Sequence, residues 1–481
     1  TSNSSMWTDE LNIAVNIQSQ SISSLITESL DYNAVAPVGF LAILKGVTSL
    51  FGDHDWAYRM IPWILSIVGL LFFWRICRMY LKGIKLFGVL ALFAVSIPLI
   101  AYAGHAKQYS GDVAVAVFLV WSCLYLIRGK PNNEAAWYIG LGGALGILLS
   151  LPAVPLAALL IVILFISHYQ GAAQFSRADL IIVGACWSFS ALLGFAYAQF
   201  VVEGAVRSDM ITFWTNGFPP NDSVLSYIGW FPQAVHETMG HFIFFDPQAA
   251  PPVISLFPVL LIVLSVFGIY YVLKTKRTEA LILLAPFLTG LILAIAGILP
   301  FRHRLALYAL WPLLFFGFMG LHSIQKWGTQ TALKYITNGL ALVMAVPMIL
   351  ILLTFGSPPY ISQPSQPVLE KVKELKKPGD ILFVYCKSNL ALQFYGPKVG
   401  IYDWESSKCY DKAESFREEI QKFDGNERVW FFYTQWNPEQ PFPDSIRVYF
   451  DEMGKQIDHI PDPYGGTKMR EATAYLYDLS N

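Results

Sequence analysis

Over its first three quarters the chain alternates long apolar runs with short polar breaks. Ten runs read as membrane-spanning helices, near residues 59–81, 86–103, 112–128, 137–150, 152–168, 179–201, 252–273, 279–299, 304–322 and 335–355. A hydrocarbon core about 30 Å thick needs about 20 apolar residues per helix. The pair 137–150 and 152–168 is short and broken at Pro152, so a re-entrant hairpin is its second reading. Ahead of the first run lie a helical stretch from Trp7 to about Ser24 and an amphipathic run from Pro37 to Phe51. The pattern changes near residue 357, where Ser357-Pro358-Pro359 and Gln363-Pro364 have linker composition. Beyond it, strand-like runs (Ile381–Cys386, Arg428–Thr434, Ala472–Leu479) alternate with amphipathic helical stretches (Val368–Lys377, Lys412–Lys422). The expected architecture is a polytopic α-helical membrane protein, with a membrane domain over 1–356 and a small soluble α/β domain over 357–481.

Composition agrees. Hydrophobic residues make up 55% and charged residues 14%, against roughly 25% charged in soluble domains. That excludes an ordinary soluble enzyme and a disordered chain. A formal charge of −1 excludes a binder of extended polyanions, so no nucleic-acid partner is expected. The near-zero total conceals an asymmetry. With residue 1 outside, the inner loops carry twelve basic residues and three acidic ones, and the outer loops before residue 357 carry six and twelve. Basic loops stay cytoplasmic. The expected location is therefore the inner (cytoplasmic) membrane, with the C-terminal domain extracytoplasmic, in the periplasm. A polar first stretch placed outside implies a preceding span, or a cleaved leader, upstream of Thr1.

Span centres hold almost no charge, so any chemistry is expected at the outer boundary, where three segments stand out. Trp7-Thr8-Asp9-Glu10 carries paired carboxylates. They can be a helix cap with an acidic first turn, or a base beside an apolar surface that raises its pKa. The loop Ala103–Asp112 carries His105, Lys107 and Tyr109; its lysine is either a snorkelling anchor or a partner for a lipid phosphate. Pro300–Arg304 places Arg302, His303 and Arg304 outside, against the positive-inside trend, and arginine's planar fork suits phosphate oxygens. The long loop 202–251 holds His236, Glu237 and His241; the five-residue histidine spacing is not that of a helical zinc pair. Asp53-His54-Asp55 matches a D-x-D pattern but sits where helix-start acids are expected. No cofactor is required by these residues, although a divalent metal is compatible with them. Cys77, Cys123 and Cys186 lie in spans; Cys386 and Cys409 share the exported domain, where a disulfide is permitted.

The ordered set resembles the GT-C-type, polyprenyl-phosphate-dependent membrane glycosyltransferases. Within them it is similar to the branch of protein O-mannosyltransferases and lipid A aminoarabinose transferases. The resemblance runs over about residues 7 to 320. Trp7-Thr8-Asp9-Glu10 resembles the acidic pair of the first outer loop. Asn33 to Gly52, with Trp56-Ala57-Tyr58-Arg59, is similar to the juxtamembrane helix and the entry to the next span. His105-Ala106-Lys107-Gln108-Tyr109 resembles the Glu-Ala-Arg-x-Tyr pattern of bacterial members, and Arg302-His303-Arg304 through Trp311-Pro312 resembles their late Arg-Tyr…Pro segment. Two departures touch the donor site: Ala34-Val35-Ala36-Pro37 stands where many members have a Pro-Pro pair, and His105 replaces an acidic residue.

The resemblance implies an inverting glycosyltransferase of the cell envelope. A sugar on polyprenyl phosphate would pass to an acceptor hydroxyl of a glycan, lipid or protein. Asp9 would be the base and Glu10 its partner. Lys107, Arg302 and Arg304 would hold the leaving phosphate, and His105, Tyr109, His303, His236 and His241 would contact substrate. A lipid-linked substrate transporter and a non-catalytic subunit of a membrane complex are the competing readings.

Overall fold

The computed structural model describes residues 5–129, 133–171, 175–202, 212–243, 252–327, 331–354, 363–434, 442–463 and 471–480, with side chains left out at 252–255 and 346–354. Lipid offers the backbone no hydrogen-bond partners, so apolar runs must close their bonds internally as helices. The chain runs through α1 (Thr8–Ser19), α2 (Ile22–Thr27), α3 (Val38–Phe51), α4 (Asp55–Cys77), α5 (Gly83–Val95), α6 (Ile97–Ala103), α7 (Tyr109–Arg128), α8 (Asn133–Leu148), α9 (Ala153–Tyr169) and α10 (Arg177–Tyr197). There follow α11 (Val224–Ile243), α12 (Pro252–Thr275), α13 (Arg277–Ile295), α14 (Leu307–Trp327) and α15 (Thr331–Thr354).

Every sequence-predicted run falls on one of these helices, α5 and α6 sharing the second. Among the described residues, six helices are long and apolar enough to cross a membrane, or seven with α5 and α6 counted as one span bent by 51°. The pair read as short from the sequence is short in the structure: α8 and α9 have 16 and 17 residues, rising only about 24–26 Å, because Pro152 interrupts what would be one long apolar run. The reading of 202–251 as one long loop is corrected. Its middle is the 20-residue helix α11, while 203–211 and 244–251 lie outside the described residues, as does the Ser357–Pro359 linker.

The chain divides into two compact units. One comprises Thr1–Gln20, Phe51–Tyr58 and Tyr360–Asn481; the other comprises Ser21–Leu50 and Arg59–Pro359. The first twenty residues thus group with the tail rather than with the membrane helices. In that unit the Tyr395 hydroxyl accepts from the Met6 N–H (2.6 Å) and donates to Asp55 (2.7 Å). Gln363 Oε1 accepts from both the N–H and the hydroxyl of Thr8 (3.0 Å each). Asp53 takes Lys398 at 3.3 Å and bonds Gln18 and Tyr58, so the D-x-D pair is occupied in structural contacts.

The tail contributes α16 (Ser365–Leu375), β1 (Ile381–Val384), α17 (Asn389–Val399), β2 (Glu405–Ser406), α18 (Ala413–Ile420), β3 (Val429–Tyr433), α19 (Phe442–Met453), β4 (Lys455–Ile460) and β5 (Thr473–Asp478). The sheet order is β2-β1-β3-β5-β4. The β1–β2 and β1–β3 pairs are parallel, and β5 is antiparallel to both β3 and β4. All five residues of β3 are buried, as expected for a strand covered on both faces. Cys386 and Cys409 are disulfide-bonded, with Cα atoms 5.5 Å apart, tying the end of β1 to the segment after β2.

In the membrane unit α14 is the central post, buried along nearly its whole length. Glycines permit its close approach to α12. A Cβ on Gly320 would collide with the Leu264 carbonyl, and one on Gly268 with the Phe316 carbonyl. Small residues are the usual means of bringing membrane helices together, since apolar side chains gain nothing by leaving lipid.

Candidate active site

At the end of the membrane unit where α6, α7 and α14 meet, two short segments carry most of the polar side chains. Gly104–Gln108 joins α6 to α7, and a single 3-10 turn, His303–Ala306, leads into α14. The second segment is anchored from behind. The Phe301 N–H donates to the Gly217 carbonyl (2.8 Å), and its carbonyl accepts from Thr238 (3.3 Å). His303 has φ +46°, a left-handed conformation that costs a non-glycine residue roughly 1–2 kcal/mol. That backbone turn separates the directions of three consecutive long side chains.

Arg304 donates from Nε to the Tyr109 hydroxyl (3.1 Å), and its guanidinium carbon stands 5.8 Å from the Tyr109 ring centroid and 5.2 Å from that of Trp214. Two aromatic faces and one hydrogen bond fix the plane of the fork. The imidazole of His303 stacks on that of His241, 4.6 Å between centroids and 18° between planes, with the Trp214 ring edge-on at 6.0 Å. Arg302 donates from Nε to His303 Nε2 (3.4 Å) and stands 3.9 Å from the Glu237 carboxylate. In the other segment Tyr102 packs edge-on against both His105 and Tyr109. Lys107, two residues before that tyrosine, is buried, as are His105 and His241.

The fold thus brings together five predicted residues: Tyr109, Arg302, His303, Arg304 and His241. His105 joins them through Tyr102, and Lys107 through its place in the loop. His236 is not among them. It lies five residues before His241 on α11, roughly 140° around the helix, and makes no hydrogen bond, ion pair or ring contact among the described residues. In the other unit Asp9 is half-buried in the first turn of α1, while Glu10 is fully buried and accepts from the Trp7 N–H (3.4 Å). Glu10 therefore realises the capping reading. No group of three or more His, Cys, Asp or Glu side chains among the described residues could hold a metal ion.

Sequence reasoning passed over Trp214 and Asp112. Asp112 read as the end of a loop, but α7 already begins at Tyr109, and Asp112 lies one turn further on, buried. Its Oδ1 has no hydrogen-bond partner among the described residues, and the hydroxyls of Ser150 and Tyr308 are buried beside the same carboxyl. Tyr308 is one turn beyond Arg304. Helices α7 and α14 therefore face each other in two tiers: Tyr109 with Arg304, and below it Asp112 with Tyr308.

A short first turn carrying cations, an amphipathic helix ahead of the first span and a helical bundle followed by a small sheet domain together define an architecture already seen in solved structures. The chain covers 98% of itself and 93% of ArnT from Cupriavidus metallidurans in the apo state, at TM-score 0.50 and 10% identity. With the same protein bound to undecaprenyl phosphate the TM-score is 0.51 at 11% identity, with 98% and 94% covered. This is the GT-C fold. The arabinofuranosyltransferase AftD from Mycobacteria shares the GT-C fold at TM-score 0.51 and 12% identity, the chain covering 98% of itself and 38% of AftD. The family model described as dolichyl-phosphate-mannose-protein mannosyltransferase matches residues 35–195. That stretch holds α3, the Gly104–Gln108 loop and Asp112, but neither Asp9 nor Arg304. No curated protein matches the chain by sequence.

Proposed function

We propose that the chain is a membrane glycosyltransferase that takes a sugar from a polyprenyl phosphate and transfers it, with inversion, to an acceptor hydroxyl at the outer face of the membrane. The observation that carries this reading is Arg304, a guanidinium held between Tyr109 and Trp214 at the membrane boundary of a GT-C fold. A structure of the same fold, ArnT, is bound to undecaprenyl phosphate. Arg304, Arg302 and Lys107 would receive the phosphate. Charge develops on the bridging oxygen as the glycosidic bond breaks, and preorganised cations stabilise it best where water is excluded. The leaving group is already a phosphate diester becoming a monoester, so it needs no strong acid. His303, stacked on His241, would line the sugar side of the phosphate. Asp9 is the proposed base that takes the acceptor proton; this role rests on the resemblance of its segment and on its greater exposure than Glu10. No step is assigned to a metal.

The deciding experiment offers the purified full-length protein labelled polyprenyl-phosphate sugars and membrane or secreted acceptors. Transfer by the wild type, its loss in Asp9→Asn, and retained phosphate-lipid binding in that variant support the reading. Equal transfer by both forms overturns Asp9 as base. Binding of polyprenyl phosphate without transfer of any sugar overturns the catalytic reading.

A further inference from the structure

At the far end of α14, about 30 Å from Arg304 by helix rise, the same unit holds a second group of cations. We propose that Lys85, Lys326 and Lys334, with His322, form a binding site for the phosphate of an anionic membrane lipid in the opposite leaflet.

Lys85 is 4% exposed. Its ammonium donates to Gln325 Oε1 (2.5 Å) and Asn338 Oδ1 (2.9 Å), two neutral amides on α14 and α15. No carboxylate among the described residues pairs with it. The surrounding charge has the same sign: Lys334 acts on Lys85, and His322 feels both Lys326 and Lys85. A buried ammonium without a counter-charge is costly. The chain avoids that cost nearby. Arg128 and Lys276 share Glu279, at 2.5 and 3.5 Å, and Tyr80 donates to the same carboxylate (2.5 Å). Among the described residues Lys85 has no such partner.

Helix polarity sharpens the contrast. Lys85 lies in the first turn of α5 and Lys334 in the first turn of α15; neither first turn holds an acid. These are the positive ends of two helices, where lysine is disfavoured and an anion is stabilised. Contact between Lys85 and Asn338 brings both ends to one place. A bias of basic residues toward one membrane face accounts for loop lysines in water. It does not account for a lysine buried among amides with two helix N-termini beside it. A phosphate monoanion at headgroup depth supplies the missing charge, and its oxygens can accept from ammonium and backbone N–H groups together.

The test uses the full chain in zwitterionic detergent, titrated with phosphatidylglycerol, with phosphatidylcholine of the same acyl chains, or with inorganic phosphate. Native mass spectrometry and thermal unfolding are the readouts. Phosphatidylglycerol should stay bound and raise the melting temperature, while phosphatidylcholine and inorganic phosphate do not. Lys326→Gln/Lys334→Gln, both exposed and tolerant of change, should weaken retention by about tenfold or more, and Lys85→Gln should abolish it. Charge-matched Arg177→Gln/Lys274→Gln, on the same face but elsewhere, should retain wild-type binding. Equal loss in that control would mean diffuse surface attraction and overturn the site. Equal retention in Lys326→Gln/Lys334→Gln would also overturn it, whether or not Lys85→Gln folds. Stabilisation by inorganic phosphate alone would assign the pocket to a free anion rather than a lipid.

Discussion

Arg304 owes its orientation to two rings, and that makes a sharp test of charge against geometry. Arg304→Lys keeps the charge but loses the planar fork, the Tyr109 bond and the stacking on Trp214. Polyprenyl-phosphate affinity should fall by about tenfold in Arg304→Lys and further in Arg304→Met, measured by ligand-induced thermal stabilisation. Asp112 tests the opposite balance. Its unpartnered oxygen is a stability cost, so Asp112→Asn should leave the melting temperature unchanged or raise it while lowering transfer at least about tenfold. In the tail, Asp380 is buried beside Arg428 (2.8 Å), Trp430 (3.0 Å) and the Lys377 N–H (3.0 Å). Burial pushes its carboxyl up, but these donors win and hold it below the usual carboxylate range. A depressed folded pKa gives stability that is present above the unfolded value, near 4, and is lost as the pH falls through the folded one. Hydrogen exchange in β1 and β3 should therefore be faster in Asp380→Asn than in wild type at pH 6. The difference should shrink as the pH drops below about 4.

At the scale of elements, the membrane helices were legible because about twenty apolar residues in lipid admit only one local structure. The α/β character of the tail was legible for the same kind of reason, since runs such as Val429–Tyr433 are covered on both faces. Helix α11 was not, because Gly229 and Pro232 interrupt a sequence of mixed polarity whose order comes from its packing. The edge strand β4 was missed too: its first five residues are exposed, so no hydrophobic alternation marks it. Half of the candidate site was legible as charge out of place, in Lys107 and Arg302 to Arg304. The stacking of His241 on His303 joins residues 62 apart in sequence, and no spacing rule reports such a pair. The helix contacts themselves predict failure at one point. Gly320→Leu would drive a side chain into the Leu264 carbonyl. It should cost a few kcal/mol, seen as loss of the monodisperse peak in detergent. Removing the disulfide with Cys386→Ser/Cys409→Ser should cost about 2–4 kcal/mol of tail stability and leave the membrane helices intact by circular dichroism.

For the whole molecule, 10–11% identity to ArnT leaves the fold recognisable over nearly the entire chain, since bundle architecture asks for apolarity and small residues at contacts rather than particular side chains. Orientation is the global property that charge alone encodes. A cysteine at exposed Tyr402 should react with a membrane-impermeant maleimide in intact cells, and one at Lys274 only after permeabilisation; the reverse pattern would invert the topology. Helix α14, buried along nearly its whole length, begins just after Arg304 and carries Lys326 in its last turn. It therefore acts as a ruler. Its 21 residues span about 30 Å, close to the hydrocarbon thickness of a bilayer. Because a packed post cannot tilt independently of its neighbours, membranes thinner or thicker than that length must deform before both headgroup layers meet the cations at its two ends. Transfer activity across a series of reconstituted lipids should accordingly peak at one acyl-chain length and decline on either side.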